Sequence, residues 1–193
     1  MQSLCVYCGS SAGMTDEYAK GAKQLAAAMV ARNIALVYGG GNVGLMGIIA
    51  DEVLRLGGNV TGVIPQALMD KEVGHTGLSQ LHIVSNMHER KAMMAELSDG
   101  FVAMPGGIGT LEELFEMFTW SQLGFHEKPL GLLNIHGFYD SLVDFLQHTV
   151  NAGFLKQEHL ALLHNEADPL TLLDALQQAH PPHLTKWINQ DDL

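Results

Sequence analysis

The chain has 193 residues, 47% hydrophobic and 7% aromatic, with 10 Lys and Arg against 21 Asp and Glu. That length and apolar content suit one globular domain with a full core. The formal net charge of −11 repels a nucleic-acid backbone, so no nucleic acid polymer is expected as partner, whereas a small phosphorylated ligand stays open because a helix N-terminus attracts anions locally.

The N-terminal run Met1-Gln2-Ser3-Leu4-Cys5-Val6-Tyr7-Cys8 has neither a basic n-region nor an apolar h-region, and no later stretch approaches the length of a membrane span. A cytoplasmic protein with no membrane partner is expected. Leu4 to Tyr7 reads as the first strand. Cys5 and Cys8 form a C-x-x-C pair, but a spacing of three on a strand puts them on opposite faces, which argues against redox chemistry. The ten histidines show no H-x-H or H-E-x-x-H pattern, so no metal site is expected.

Further apolar runs rich in β-branched residues lie at Ile34 to Tyr38, Val60 to Ile64, Leu81 to Val84, Phe101 to Met104 and Leu130 to Leu133, with a weaker one at Leu160 to Leu163. They read as buried parallel strands. Helical patterns alternate with them: Asp16 to Arg32, with Tyr18, Ala22, Leu25, Ala26 and Met29 on one face, then Leu45 to Leu56, Thr110 to Leu123 and Phe138 to Val150. This alternation predicts an α/β fold, a doubly wound parallel sheet flanked by helices, in one domain over residues 1–179. An irregular C-terminal tail is expected over 180–193.

Three segments carry chemistry. The first, Gly39-Gly40-Gly41-Asn42-Val43-Gly44, satisfies G-x-G-x-x-G after a strand and before a helix. A dinucleotide site also asks for an acid at the end of the next strand, and that strand ends Val63-Ile64-Pro65-Gln66 without one. The turn is therefore read as one wall of a mononucleotide site, through Gly40 and Gly41, or else as a tight structural turn. No Walker lysine is present, which argues against NTP hydrolysis.

The second segment, Asn86 to Met94, opens a helix with Arg90 and Lys91 in its first turn, where cations oppose the dipole. Neither has an acid three or four positions away, so the pair reads either as functional or as a solvated basic patch. The third, Pro105-Gly106-Gly107-Ile108-Gly109-Thr110-Leu111-Glu112-Glu113, is a glycine-rich turn leading into a helix whose N–H groups suit a phosphate. Glu113, one turn further, is placed for ribose hydroxyls. Thr110 and Glu113 also fit a capping box, which would explain both without catalysis. The helix that follows is apolar on more than one side, with Leu111, Leu114, Phe115, Met117, Phe118, Trp120 and Leu123. Either a second copy covers it, giving a homodimer, or it is a deep core helix.

Taken in order, Cys8-Gly9-Ser10-Ser11, Tyr38-Gly39-Gly40-Gly41, Val43-Gly44-Leu45-Met46-Gly47, Met87-His88-Glu89-Arg90-Lys91, the Pro105 to Glu113 turn and Thr119-Trp120-Ser121-Gln122-Leu123-Gly124 resemble the LONELY GUY (LOG) family. Its members are cytokinin riboside 5′-monophosphate phosphoribohydrolases. The resemblance covers all but about the last 40 residues. It implies a Rossmann-like fold, a homodimer, and cleavage of the N-glycosidic bond of adenosine-type 5′-monophosphates to free base and ribose 5-phosphate, without cofactor. It also implies Arg90 and Glu113 as the catalytic pair, with Gly9, Ser10, Lys91, Gly107, Ile108, Gly109, Thr110, Leu111, Glu112 and Thr119 around the nucleotide. Where plant-like members have a glutamate in the loop after the third strand, this chain has His75 within Gly74-His75-Thr76. His75 is thus expected at the substrate, with altered recognition of the base.

The chemistry of such a pair is plain. Breaking a ribosyl C–N bond builds oxocarbenium character, which a carboxylate stabilises more in the transition state than in the ground state. An adjacent Arg90 would bind phosphate or hold Glu113 ionised by lowering its pKa. Two other classes remain: a non-catalytic nucleotide-binding or carrier protein on the same fold, and a decarboxylase, which would need a pyridoxal phosphate lysine.

Overall fold

The computed structural model describes residues 1–71 and 74–179, so the expected tail over 180–193 lies outside the described residues. Seven strands form one parallel sheet in the order β4-β3-β2-β1-β5-β6-β7. The strands are β1 Ser3–Tyr7, β2 Ala35–Tyr38, β3 Val60–Pro65, β4 Gln80–Val84, β5 Phe101–Ala103, β6 Leu130–Leu133 and β7 Leu163–Glu166. The helices are α1 Asp16–Ala31, α2 Gly44–Arg55, α3 Gln66–Met69, α4 Met87–Glu96, α5 Ile108–Gln122, α6 Asp140–Asn151, α7 Gln157–Leu160 and α8 Pro169–Gln178.

Strand alternation builds two cores. Leu4 and Val6 of β1 face a cluster with Leu25, Met29, Ile49, Val53 and Leu172 from α1, α2 and α8. Cys5 and Tyr7 face the other, with Met94, Leu114, Met117, Phe118 and Leu146 from α4, α5 and α6. Helices on both faces bear out the doubly wound prediction. Cys5 and Cys8 fall in opposite clusters, both buried and unbridged. Burial pushes the Cys5 thiol up to about 12 and the Cys8 thiol upward as well, so neither is a thiolate at neutral pH.

The expected strand at Leu160 to Leu163 needs correction. Leu160 ends α7, and β7 begins only at Leu163. Leu160 and Leu162 are apolar because the turn packs them on the core. The strand itself carries His164, Asn165 and Glu166 because it is the sheet edge, paired with β6 alone.

The chain reverses its winding at β1. It runs outward through β2 and β3 to the edge strand β4, then α4 carries it back across three strands to β5, which pairs with the other side of β1. The crevice at the carboxyl ends of β1 and β5 is where ligands settle in such sheets. No helix among the described residues is long and apolar enough to cross a membrane.

Candidate active site

At that crevice the loops after β1 and β5 are tied together by Gly9 N–H donating to the Pro105 carbonyl at 3.1 Å. The turn after β5 is shaped by its glycines. A Cβ on Gly106 would lie 2.1 Å from Thr110 Oγ1, so only glycine lets the threonine pack there. A Cβ on Gly107 or Gly109 would meet nothing within 4 Å, so open space borders the backbone where a ligand would approach.

The helix starts earlier than its capping pattern suggests. Gly107, with φ −94 and ψ −156, is the N-cap and α5 begins at Ile108, which leaves Thr110 inside the first turn. The Thr110/Glu113 capping box does not form. Its counterpart stands at the head of α4, where Asn86 Oδ1 accepts from Glu89 N–H at 2.9 Å and Glu89 Oε2 accepts from Ser85 N–H at 2.9 Å. Glu113 is thereby released from capping, and its Oε1 instead accepts from Arg90 Nη1 at 2.7 Å.

That ion pair is buried, Arg90 8% and Glu113 9% exposed. Arg90 Nε also donates to the Val63 carbonyl at 3.2 Å. Burial raises the Glu113 carboxyl above its ordinary value, and the Arg90 charge and hydrogen bond pull it back only in part. The net direction is thus opposite to the lowering expected from a neighbouring cation: desolvation outweighs attraction. The pair lines a cavity of about 300 Å³ together with Cys8, Gly9, Ser10, Met46, Gly107, Ile108, Gly109 and Thr110. Sequence reading missed Cys8 and Met46 as lining residues. It also passed over Gly39, where a Cβ would lie 1.9 Å from Arg90 Nη2.

Of the other expected site residues, Lys91, Leu111, Glu112 and Thr119 are not among those that line this cavity. Lys91 is buried like Arg90, so neither forms a solvated basic patch. Its ammonium donates to Glu112 at 2.5 Å and Glu116 at 3.0 Å. These acids lie on α5, which is why no partner was visible on α4. Burial alone would lower the Lys91 pKa, but the two carboxylates more than compensate and the net direction is up. Leu111 packs toward the core, and Thr119 is exposed on the stripe of Glu112 and Glu116. Ile108 is 81% exposed.

Gly40 and Gly41 are buried beneath the loop after β3 rather than in the lining. The Gly40 carbonyl accepts from His75 N–H at 2.8 Å, and Gly41 bridges Gly74. His75 does not line the cavity: its Nε2 meets Asp51 Oδ1 at 2.9 Å and its Nδ1 accepts from Gly77 N–H at 3.0 Å.

A protein-family model described as "Possible lysine decarboxylase" matches residues 46–176. The rice protein named probable cytokinin riboside 5′-monophosphate phosphoribohydrolase LOGL1 is 48% identical over 93% of this chain and 81% of its own length. Cytokinin riboside 5′-monophosphate phosphoribohydrolase LOG1 of Arabidopsis thaliana is 46% identical over 93% of this chain and 84% of its own. Among solved structures, the molybdenum cofactor carrier protein of Chlamydomonas reinhardtii superposes with a TM-score of 0.69 at 21% identity, covering 91% of this chain and 96% of the other. The molybdenum cofactor binding protein of Rippkaea orientalis gives 0.67 at 18%, covering 91% and 94%. At such identities these two attest the Rossmann-like fold alone. With nearly half its residues shared along almost its whole length, the chain belongs to the LOG family, the cytokinin riboside 5′-monophosphate phosphoribohydrolases.

Proposed function

We propose that the protein hydrolyses the N-glycosidic bond of adenosine-type nucleoside 5′-monophosphates, AMP and cytokinin riboside 5′-monophosphates, to free base and ribose 5-phosphate. The observation that carries this reading is the buried Arg90–Glu113 pair lining one cavity with the N-terminus of α5. The phosphate sits on the first N–H groups of α5, between Gly107 and Thr110, where the helix leaves donors without intrahelical partners. The ribose then lies over Glu113, one turn further in. As the C–N bond lengthens, its electrons leave with the base and positive charge grows on the sugar, facing the Glu113 carboxylate. Arg90, braced on Val63, fixes that carboxylate in position. Water adds to C1′ and its proton goes to the departing base, which completes the hydrolysis.

The decarboxylase description in the family's label finds no support in these residues. A Schiff base needs a neutral amine, and Lys91, the lysine beside Arg90, is held as ammonium between two carboxylates. A carrier on the same fold would bind AMP and return it intact. Incubation with AMP or N6-isopentenyl AMP followed by chromatography separates the readings. Base is expected to appear, to fall by about 10³-fold in Glu113→Gln, and to fall strongly in Arg90→Ala with the fold intact. AMP, but not adenosine, is expected to raise the melting temperature. Turnover that survives Glu113→Gln refutes the proposal.

The proposal includes a cytoplasmic homodimer. Phe115 and Trp120 are only partly buried along α5, and Phe125 just beyond it is 68% exposed. A second copy covers this surface most simply. Light scattering is expected to give twice the chain mass.

A further inference from the structure

The glycine turn after β2 has a task that phosphate binding does not explain. Gly44 has φ +59, and a Cβ there would lie 2.3 Å from the Ser10 carbonyl carbon. Leu45 N–H donates to the Gly9 carbonyl at 3.0 Å. A Cβ on Gly47 would lie 2.7 Å from the Asn42 carbonyl oxygen. Gly44 thus lets the head of α2 close onto the Gly9-Ser10 loop, while Gly47 lets it close onto its own turn at Asn42. The result is that Met46 lines the cavity that holds Arg90 and Glu113.

Each part of that lining suits a different part of a nucleotide. The Gly107 to Thr110 backbone suits an anion, and Arg90 and Glu113 suit a sugar. Cys8, Gly9 and Ser10 offer small side chains and backbone. Apart from Ile108, which is 81% exposed, Met46 is the large apolar side chain in the lining. It is half-buried and packs on the α1–α2 core. A thioether is polarizable, favours contact with aromatic rings, and its unbranched chain adapts to rings of different outline.

We infer that Met46 is the surface against which the purine base lies. This rests on the nucleotide reading above. Met46 is then a binding residue for the leaving base, distinct from the groups that hold ribose and phosphate.

The test uses the full chain with Met46→Ala and Met46→Leu, measuring KM and kcat for AMP and N6-isopentenyl AMP, inhibition by ribose 5-phosphate, and melting temperature. Met46→Ala is expected to raise KM for both nucleotides about tenfold, with kcat changed far less. Its inhibition by ribose 5-phosphate, which has no base, is expected to match wild type. Met46→Leu is expected to restore KM to within about threefold. If wild type releases no base, the nucleotide reading itself falls. If wild type is active but Met46→Ala leaves KM unchanged, or weakens ribose 5-phosphate as much as AMP, Met46 does not contact the base.

Discussion

Gly39→Ala tests whether the Arg90–Glu113 geometry, rather than the mere presence of both groups, supports turnover. A Cβ at this position would stand 1.9 Å from Arg90 Nη2 and 3.1 Å from Cζ. Ordinary contact begins at 3.4 Å, so the guanidinium tip must retreat by about 1.5 Å, enough to break the 2.7 Å bond to Glu113 or the 3.2 Å bond to Val63. A shift of about 1 Å in catalytic geometry costs about 10²-fold in rate. Breaking a buried pair costs about 3–5 kcal/mol, part of which water in the cavity returns. We therefore expect kcat/KM for base release to fall by about 10²-fold and the melting temperature by about 4–8 °C, the equivalent of about 2 kcal/mol in a chain of this size. The assay is base release by chromatography beside a thermal melt. A Gly39→Ala protein that turns over AMP within about threefold of wild type, with an unchanged melt, refutes the reasoning.

Two further outcomes follow from the electrostatics. The folded pKa of Glu113 lies above its ordinary value of 4.5. Its contribution to stability is thus fully present below the unfolded pKa and is lost as pH rises through the folded one. Relative to Glu113→Gln, wild type should lose melting temperature as pH rises above the ordinary glutamate value of 4.5, while its kcat/KM rises through an acid limb above that ordinary range. Lys91→Ala leaves Glu112 and Glu116 facing each other, with Glu116 Oε2 already buried and unpartnered. Discounted for the exposure of Glu112, a loss of about 1–2 kcal/mol at neutral pH is expected in urea melts.

Six of the seven strands and the main helices were legible because buried parallel strands and one-sided helices write their periods plainly into sequence. β7 was not, since an edge strand carries polar residues and the apolar ones beside it belong to a turn. Arg90 and Lys91 were visible as residues out of keeping with local preference, and Glu113 through the run of glycines just before it. Their partners were not: Lys91 meets Glu112 and Glu116 across 21 and 25 residues, distances over which helical spacing says nothing. Thr110 and Glu113 matched a cap that a glycine three positions earlier supplies instead. The value of Gly39 depends on Arg90 reaching across β3 to it, a tertiary contact that leaves no local mark.

Because α4 returns from the edge strand to the centre, the cation and the acid meet only after the chain has laid down five of the seven strands. Gly39, Val63, Arg90 and Glu113 lie on β2, β3, α4 and α5 or at their ends. Grafting this constellation onto another scaffold would therefore mean moving residues 39 to 113 together with β1, which lies between β2 and β5 in the sheet. A peptide of the Pro105 to Thr110 turn alone would carry its glycines without the Arg90–Glu113 pair that lines the same cavity.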